Sequence, residues 1–261
     1  MESMGHQRAM CKLPVADWSV YESAVKRTST PMRRKATEFQ RPIVTVDVVL
    51  LTLLAGNLHV ALLRRAREPF KGRPALIGGY VHTDEDGDAE QAVRRILQAK
   101  VGVTGLFFEQ LRTFASRDRD PRGWSVSIAY FALVPHAALG DTAVGDLEWH
   151  AVDALPHLPF DHAEIVASAL ERLRGKGAYS TIPARLLPEV FTMSELQHVY
   201  ETVMRERLDQ SAFRRKIADL DLLEEVVGEK RQTATARRPT ALYRLKAPVS
   251  VFERKIGAIT R

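Results

Sequence analysis

The sequence is poor in cysteine and in long apolar runs, and these absences exclude several classes of protein. Cys11 is the single cysteine among 261 residues, so the chain has no internal disulfide and no cysteine cluster for zinc. No apolar run approaches the roughly 20 residues needed to cross a bilayer. Residues 1–18 contain no uninterrupted apolar stretch of the secretory type. We therefore expect a protein without membrane contact in the reducing cytoplasm.

Charge is unevenly distributed along the chain. The net charge is +6, with 8 basic and 4 acidic residues in 1–41, 15 and 17 in 42–180, and 15 and 11 in 181–261. The basic ends are compatible with a polyanionic partner such as nucleic acid. Hydrophobic residues make up 45% of the chain, which is enough for a sizeable core.

The change in composition and hydrophobic pattern near residue 41 predicts a domain boundary. Residues 1–40 mix Ser, Thr, Pro and charged residues without a sustained period, which is typical of a flexible N-terminal arm. The β-branched apolar run at 43–54 predicts a strand buried on both faces. A turn at Gly56-Asn57 and a second strand at 58–65 complete a predicted hairpin.

The second half of this first domain alternates strands with a helix. Two further strand-like stretches lie at 110–134 and 146–152. Asp161, with Glu164 three residues later, predicts a capping box at the start of a helix. Glycines at 175 and 177 predict the end of that helix and a linker. The pattern predicts an α/β sandwich over residues 41–176.

A glycine-rich turn followed by an acidic segment and a helix occupies residues 78–103, GGYVHTDEDGDAEQAVRRILQAKVGV. It resembles the Nudix box, G-x5-E-x7-R-E-U-x-E-E-x-G-U with U apolar, whose helix carries magnesium-binding glutamates. The matching residues are Gly79, Glu85, Arg95, Leu97, Gly102 and Val103. The chain has two extra residues between Glu85 and Arg95, and Ile77 where the family usually has proline.

The three box glutamates fall on Ile96, Ala99 and Lys100, which supply no oxygen ligand for magnesium. We therefore predict no catalytic residue, no bound metal and no cofactor. The carboxylates at positions 84, 85, 86, 88 and 90 offer another geometry for an ion, although acidic residues are also common in a solvated helix start.

The C-terminal part has the pattern of a winged helix-turn-helix domain, predicted over residues 177–247 with a tail at 248–261. Thr192 begins a capping box before an apolar stripe, and a helix is predicted at about 193–206. Asp209 is a good N-cap for the next helix, in which arginines lie opposite Phe213. Two strand-like stretches around a basic loop then predict a wing. A small helical domain solubilised by its arginines is the alternative.

Exposed polar and basic residues of this domain are the candidate DNA contacts. Arg214 and Arg215 suit bidentate contacts to guanine, and the other candidates suit phosphates or base hydrogen bonds. The full set is Thr192, Ser194, Gln210, Ser211, Arg214, Arg215, Lys216, Arg231, Arg237 and Arg238.

A Nudix-like α/β/α sandwich followed by a winged helix resembles the NrtR family, the Nudix-related transcriptional regulators of NAD metabolism. The resemblance includes residues 45–51, 109–130, 158–162 and 191–201. It implies a homodimeric repressor of NAD synthesis or salvage genes that binds a palindromic double-stranded operator. ADP-ribose or a related NAD-derived nucleotide is the implied effector, bound by a Nudix domain that has lost hydrolysis.

Glycines, arginines and an aromatic residue are the candidate effector contacts. Glycine allows close approach of the backbone, and arginine is a bidentate phosphate donor. The candidates are Arg65, Gly78, Gly79, Arg95, Glu109, Arg117, Arg119, Arg122 and Trp124. For residues 117–122, a self-paired turn is the alternative.

Two other functions remain open. An active magnesium-dependent ADP-ribose pyrophosphatase with an accessory C-terminal domain is the enzymatic alternative. A repressor with a vestigial pocket, controlled by another protein or by lysine modification, is the third hypothesis.

Overall fold

The computed structural model of the chain describes residues 41–139, 147–231, 239–252 and 256. Within these residues, seven strands form one mixed sheet and three form a smaller sheet. No helix in the described ranges is long and apolar enough to span a membrane. The predicted N-terminal arm lies outside the described residues.

The large sheet has the order β3-β2-β1-β6-β5, with β4 added to β1 and β7 added to β2. β1 and β6 are parallel, and the other neighbouring pairs are antiparallel. The strands are β1 Ile43–Leu54, β2 Asn57–Arg64, β3 Pro74–Ala75, β4 Ile77–Tyr80, β5 Phe107–Ser116, β6 Ser125–Leu133 and β7 Leu147–Ala151. The stretch 110–134 thus contributes two strands rather than one.

The central strand β1 is buried on both faces, as its β-branched sequence predicts. Its residues 46–52 are buried without interruption. Leu54 pairs with Asn57, so the hairpin turn consists of Ala55 and Gly56 rather than Gly56 and Asn57. Both turn residues have positive φ, 46° and 78°, as a two-residue hairpin of the primed type requires.

Two helices cover the opposite faces of the large sheet. α1, Ala89–Val101, buries Val93, Ile96 and Leu97 against one face. α2, His162–Gly177, packs its apolar stripe against the other face. The arrangement confirms the predicted α/β/α sandwich.

The start of α2 differs from its prediction. Asp161 occupies the N-cap position, but its side chain accepts no capping hydrogen bond. Its carboxylate instead binds Arg119, 42 residues earlier in the chain, and Glu164 pairs with Arg112. The predicted capping box is therefore wrong, because a long-range ion pair takes the carboxylate away from the helix end.

The C-terminal part forms the predicted helix-turn-helix and two strands of a wing. α3, Met193–Met204, and α4, Gln210–Asp219, are followed by β9, Leu223–Arg231, and β10, Thr240–Leu245. A short strand β8, Phe191–Thr192, completes the small sheet in the order β8-β10-β9. The wing tip, residues 232–238, lies outside the described residues.

The first helix of the winged helix packs directly onto the sandwich. Val199 and Val203 of α3 belong to the same apolar cluster as residues of α2 and β1. A Cβ added at Gly177 would lie 3.3 Å from Met204 and 3.4 Å from Val203. α2 ends at Gly177 as predicted, but the segment after it is closely packed.

The capping box at Thr192 is confirmed and carries a stability prediction. Glu195 N donates to Thr192 Oγ1 at 3.2 Å, and Thr192 N donates to the Glu195 carboxylate at 2.7 Å. Replacing Thr192 by alanine should lower the free energy of unfolding by about 1 kcal/mol, because one helix donor loses its acceptor. Urea unfolding measures this change. Ser194→Ala is the control, because Ser194 is exposed and lies two residues after Thr192. It should leave the urea midpoint of unfolding unchanged. Equal effects of the two variants would contradict the prediction.

Candidate functional site

We use the name cleft for the region where β4 pairs with β1 and contacts the C-terminal half of α1, which is the region that the Nudix-box resemblance assigns to a ligand. A Cβ at Gly78 would lie 2.2 Å from Asp47 Oδ1, and one at Gly79 would lie 3.0 Å from Ile96 Cδ1. Side chains at these two positions would therefore collide with Asp47 and with Ile96. Glycine lets the backbone of β4 approach β1 and α1 this closely.

The three positions of the missing glutamates have different environments. Ile96 is buried beneath Gly79 as part of the core, whereas Ala99 is exposed on α1. Lys100 folds back over the strand end, and its Nζ donates a short hydrogen bond to the carbonyl oxygen of Gly78. None of these groups is a magnesium ligand, and a lysine ammonium would repel the ion.

The acidic segment before α1 is engaged in local structure. Asp88 caps α1 by accepting from Gln91 N at 2.8 Å, and Glu90 pairs with Arg94 at 3.2 Å. Asp86 accepts from Arg95 at 2.6 and 2.8 Å, and this hydrogen bond lowers the pKa of Asp86 to about 2. Among the described residues, no three His, Cys, Asp or Glu side chains are grouped as a metal site. The residues present therefore do not fit the metal of the Nudix box.

Arg95 has a structural position at the edge of the cleft. Besides its two bonds to Asp86, it donates to the carbonyl oxygen of Tyr80 at 3.0 Å. The hydrogen bond to Asp86 raises the pKa of the Arg95 guanidinium despite partial burial. Arg95 thus ties the acidic segment to β4, and its donors are largely taken.

Arg119 lies inside the protein, in a network of ion pairs below the cleft. Its guanidinium donates two 2.8 Å hydrogen bonds to Asp161 and one of 3.1 Å to Ser125, and lies 3.6 Å from Asp47. His162 is buried beside it, and Leu76 N donates to His162 Nδ1 at 3.1 Å. Burial lowers the pKa of His162, which favours the neutral form of this imidazole. The network positions Asp47, which also accepts a 2.5 Å hydrogen bond from Ser127.

Arg122 and Tyr80 form one rim of the cleft. The Arg122 guanidinium pairs with the buried Asp120 at 2.6 Å and lies 5.6 Å from the centre of the Tyr80 ring. It also donates a short hydrogen bond to the Tyr80 hydroxyl. The hydrogen bond to Asp120 raises the pKa of Arg122. The loop 117–122 is therefore partly self-paired. The alternative of a self-paired turn is correct for Asp120 and Arg122.

Arg65 and Lys100 differ from these paired cations. Arg65 donates to the carbonyl oxygen of Pro69 at 2.7 Å and stacks on Phe160, 4.7 Å from the ring centre. Within the described part of the chain, neither Arg65 nor Lys100 forms an ion pair with a carboxylate. Burial lowers the pKa of both groups. For Lys100, the Asp47 carboxylate opposes this decrease in pKa and the charge of Arg65 adds to it. Arg65 and Lys100, which have no carboxylate ion pair in the described part of the chain, thus lie near enough to repel each other.

The remaining effector candidates are more scattered. Glu109 faces α2, where it pairs with Arg172 at 2.9 Å and Lys176 at 3.2 Å. Arg117 is exposed, and the Trp124 side chain is 48% exposed beside the start of β1. Sequence reasoning missed Lys100 and Tyr80 as cleft residues. The signal for Lys100 was present, since a cation stands at a metal-ligand position.

The exposed face of α4 carries the main candidate DNA contacts. Gln210, Ser211, Arg214 and Arg215 are exposed, while Phe213 on the opposite side is 3% exposed. Lys216 is partly buried on the same helix, and Ser194 is exposed at the start of α3.

Two other candidates of the winged helix are engaged within the protein. Thr192 is fully buried in its capping box. Arg231 donates to Glu195 at 3.1 and 3.2 Å and to Val190 O at 3.2 Å, which fastens β9 to the start of α3. Arg237 and Arg238 lie outside the described residues.

Comparison with known proteins identifies both parts of the chain. Residues 43–173 match the NUDIX domain, and residues 183–245 match the NrtR DNA-binding winged helix domain. The ADPR responsive transcriptional repressor NtrR of Acinetobacter baylyi is 34% identical over 212 residues, which are 80% of this chain and 84% of that protein. The chain belongs to the NrtR family.

A solved NrtR structure resembles most of the chain, whereas a Nudix enzyme resembles about half of it. Shewanella oneidensis NrtR complexed with a 27mer DNA is similar with a TM-score of 0.75 and 37% identity, over 82% of this chain and 99% of that one. The ADP-ribose pyrophosphatase of Methanocaldococcus jannaschii is 33% identical over 135 residues, 51% of this chain and 76% of that enzyme. The similarity to NrtR thus extends through the winged helix, whereas that to the enzyme covers about half of the chain.

Proposed function

We propose that this NrtR protein is a transcriptional repressor of NAD synthesis or salvage genes, with ADP-ribose or a related NAD-derived nucleotide as its effector. The cleft carries the proposal, because it combines the close approach of the β4 backbone at Gly78 and Gly79 with a lysine, Lys100, at a position where an enzyme has a metal ligand. The effector named for the Acinetobacter relative and the DNA bound by the Shewanella protein support it.

In this proposal the cleft binds the effector and α4 binds the DNA. Arg65 and Arg122 bind the phosphates over the two glycines, and the exposed Arg117 and Trp124 are left for the outer parts of the nucleotide. Arg214 and Arg215 enter the major groove, with Ser194, Gln210, Ser211 and Lys216 beside them. A homodimer presents two such helices to a palindromic operator whose half-sites lie about one or two helical turns apart.

The contact between the hairpin and α3 gives a physical route between the two sites. β1 extends from Asp47 at the cleft to the turn at Gly56, whose carbonyl oxygen accepts a 3.3 Å hydrogen bond from Thr202. A Cβ at Gly56 would lie 2.8 Å from His198 Nε2, so this contact is close. Effector binding can change DNA affinity only if it favours one arrangement of these elements over another. A rotation of one domain against the other about the predicted linker near Gly175 would have to shift this contact.

A selection of bound duplexes from a random pool, with and without ADP-ribose, tests the proposal. The full chain should enrich a palindrome without nucleotide, and ADP-ribose should change the yield of that palindrome at least tenfold. AMP, which lacks the second phosphate and ribose, is the control and should have little effect. Enrichment of no sequence, or an enrichment that ADP-ribose leaves unchanged, would reject the repressor or the sensor half respectively.

The similarity to the Methanocaldococcus pyrophosphatase makes hydrolysis the second candidate function. It is tested by magnesium-dependent release of AMP and ribose 5-phosphate from ADP-ribose. We expect no turnover above background, because the carboxylates at 85, 86, 88 and 90 have local partners. Turnover that is lost in Glu85→Gln and kept in an Arg214→Ala, Arg215→Ala double variant would favour the enzyme.

A vestigial cleft is distinguished by calorimetry. Heat of binding with ADP-ribose, and its absence with AMP at the same concentration, supports a sensor. Absence of heat with every NAD-derived nucleotide would instead direct attention to a protein partner or to lysine modification.

A further inference from the structure

We propose that Lys100 replaces the metal ion of the Nudix cleft, so that its ammonium binds the diphosphate directly and effector binding needs no divalent cation. The inference rests on the proposed function. It adds Lys100 to the effector contacts, whereas the sequence identifies Lys100 only as a position where a metal-binding glutamate is missing. It concerns the class of ligand that the cleft accepts: a diphosphate that carries no magnesium.

The position of Lys100 is the first argument. Its side chain crosses from α1 to the end of β4 and donates to the Gly78 carbonyl oxygen. That carbonyl belongs to the stretch of backbone that must stay free of side chains, since a Cβ at Gly78 would lie 2.8 Å from Val46 O as well as 2.2 Å from Asp47. The ammonium is therefore anchored against the backbone of β4, and it belongs to a residue that occupies a metal-ligand position of the box.

The remaining hydrogen-bonding capacity of Lys100 is the second argument. An ammonium has three N–H donors and no acceptor. In the described part of the chain, the bond to Gly78 uses one donor, and no carboxylate forms an ion pair with Nζ. Two donors are therefore available to an incoming anion, in a partly buried place where each bond to a charged oxygen is stronger than in water.

The neighbouring charges are the third argument. Arg65 repels Lys100, and Arg122 repels Arg65. The Asp47 carboxylate attracts both Arg65 and Lys100, and that of Asp120 attracts Arg65. Other cations near the cleft have carboxylate partners: Arg95 pairs with Asp86, Arg119 with Asp161, and Arg122 with Asp120. Among the described residues, Arg65 and Lys100 therefore lack the carboxylate ion pair that each of the other three cations has. A diphosphate would relieve this repulsion, whereas magnesium would add to it.

Two consequences follow for the chemistry of the cleft. A lysine binds phosphate oxygens as a point charge, so Lys100 and Arg65 together can offset the two negative charges of a diphosphate without the water ligands of a metal ion. A magnesium ion would also lower the pKa of a bound water and create a nucleophile, and an ammonium cannot do so. The same substitution thus retains affinity for the diphosphate and removes the means of cleaving it.

Calorimetry with ADP-ribose tests the inference on the full chain. The wild-type protein should give dissociation constants within about twofold of each other in excess EDTA and in millimolar magnesium. Lys100→Met should weaken binding in EDTA by about ten- to a hundredfold, the range for a charge-assisted hydrogen bond. Lys100→Gln, which keeps a hydrogen-bond donor without the charge, should weaken it by a similar factor and guards against misfolding of the methionine variant.

Arg94→Met is the matched control, since Arg94 lies on the exposed side of the same helix and, within the described residues, pairs with Glu90 and the Phe108 ring. It removes one positive charge and should leave the affinity within about threefold. Wild-type binding that requires magnesium, or Lys100 variants that bind as tightly as Arg94→Met, would overturn the inference and leave the sensor proposal intact. Absence of ADP-ribose binding to the wild-type protein under both conditions would overturn both.

Discussion

Replacing Arg214 and Arg215 together by alanine is expected to abolish specific DNA binding while ADP-ribose binding stays unchanged. Both side chains are exposed on α4, on the side opposite the buried Phe213. A bidentate arginine contact to guanine contributes about 1–3 kcal/mol of discrimination, so two such contacts correspond to a loss of roughly 30-fold to 10⁴-fold. Fluorescence anisotropy with the selected palindrome measures the loss.

The single variants separate base contacts from phosphate contacts. An arginine that contacts a base relaxes specificity at one position of the site, whereas one that contacts a phosphate weakens all sequences and lowers the salt slope by about 1. Arg207→Ala is the control, since its side chain is 94% exposed in the turn between α3 and α4. If Arg207→Ala weakened binding as much as the double variant, net charge rather than groove recognition by α4 would explain the affinity.

Replacing Asp161 by alanine is expected to cause the largest loss of stability. The variant leaves Arg119, whose side chain is 5% exposed, without its two 2.8 Å hydrogen bonds. Removing one partner of a buried ion pair costs about 3–5 kcal/mol. Because Asp47 remains 3.6 Å from Arg119, we expect the lower end of this range. Urea denaturation of the wild-type and variant proteins measures the difference.

Glu164→Ala is the matched control for Asp161→Ala, because Glu164 lies on the same turn of α2. Its ion pair with Arg112 is exposed on both sides, so the loss should stay below about 1 kcal/mol. A small effect of Asp161→Ala would mean that Arg119 does not depend on this carboxylate, and would restore Arg119 as a candidate effector contact.

The sequence predicts the elements of this fold well where local signals are strong. The apolar run of β1, the capping box at Thr192 and the N-cap at Asp209 are confirmed, because each depends on residues within one element. Periodicity also places Phe213 inside and Arg214 and Arg215 outside, as the structure has them. The hairpin turn is displaced by one residue because Asn57 pairs with Leu54.

The candidate site is less predictable because it depends on partners far apart in the chain. Asp161 has the local sequence features of a helix cap, yet its carboxylate accepts a hydrogen bond from Arg119, 42 residues earlier in the chain. The motif assigns Arg95 to phosphate binding, while the structure pairs it with Asp86 nine residues earlier. Lys100 could be identified as a lost metal ligand, but its bond to Gly78 spans 22 residues and is not encoded in any local pattern.

The reciprocity of the two binding events tests most directly whether the cleft controls the winged helix. The affinity of the full chain for its selected palindrome should change at least tenfold in saturating ADP-ribose, and the affinity for ADP-ribose should change by the same factor on the DNA complex, because coupling between two sites is reciprocal. Both titrations are made in EDTA. Equal DNA affinities with and without bound ADP-ribose would contradict the account, since the two sites would then be independent.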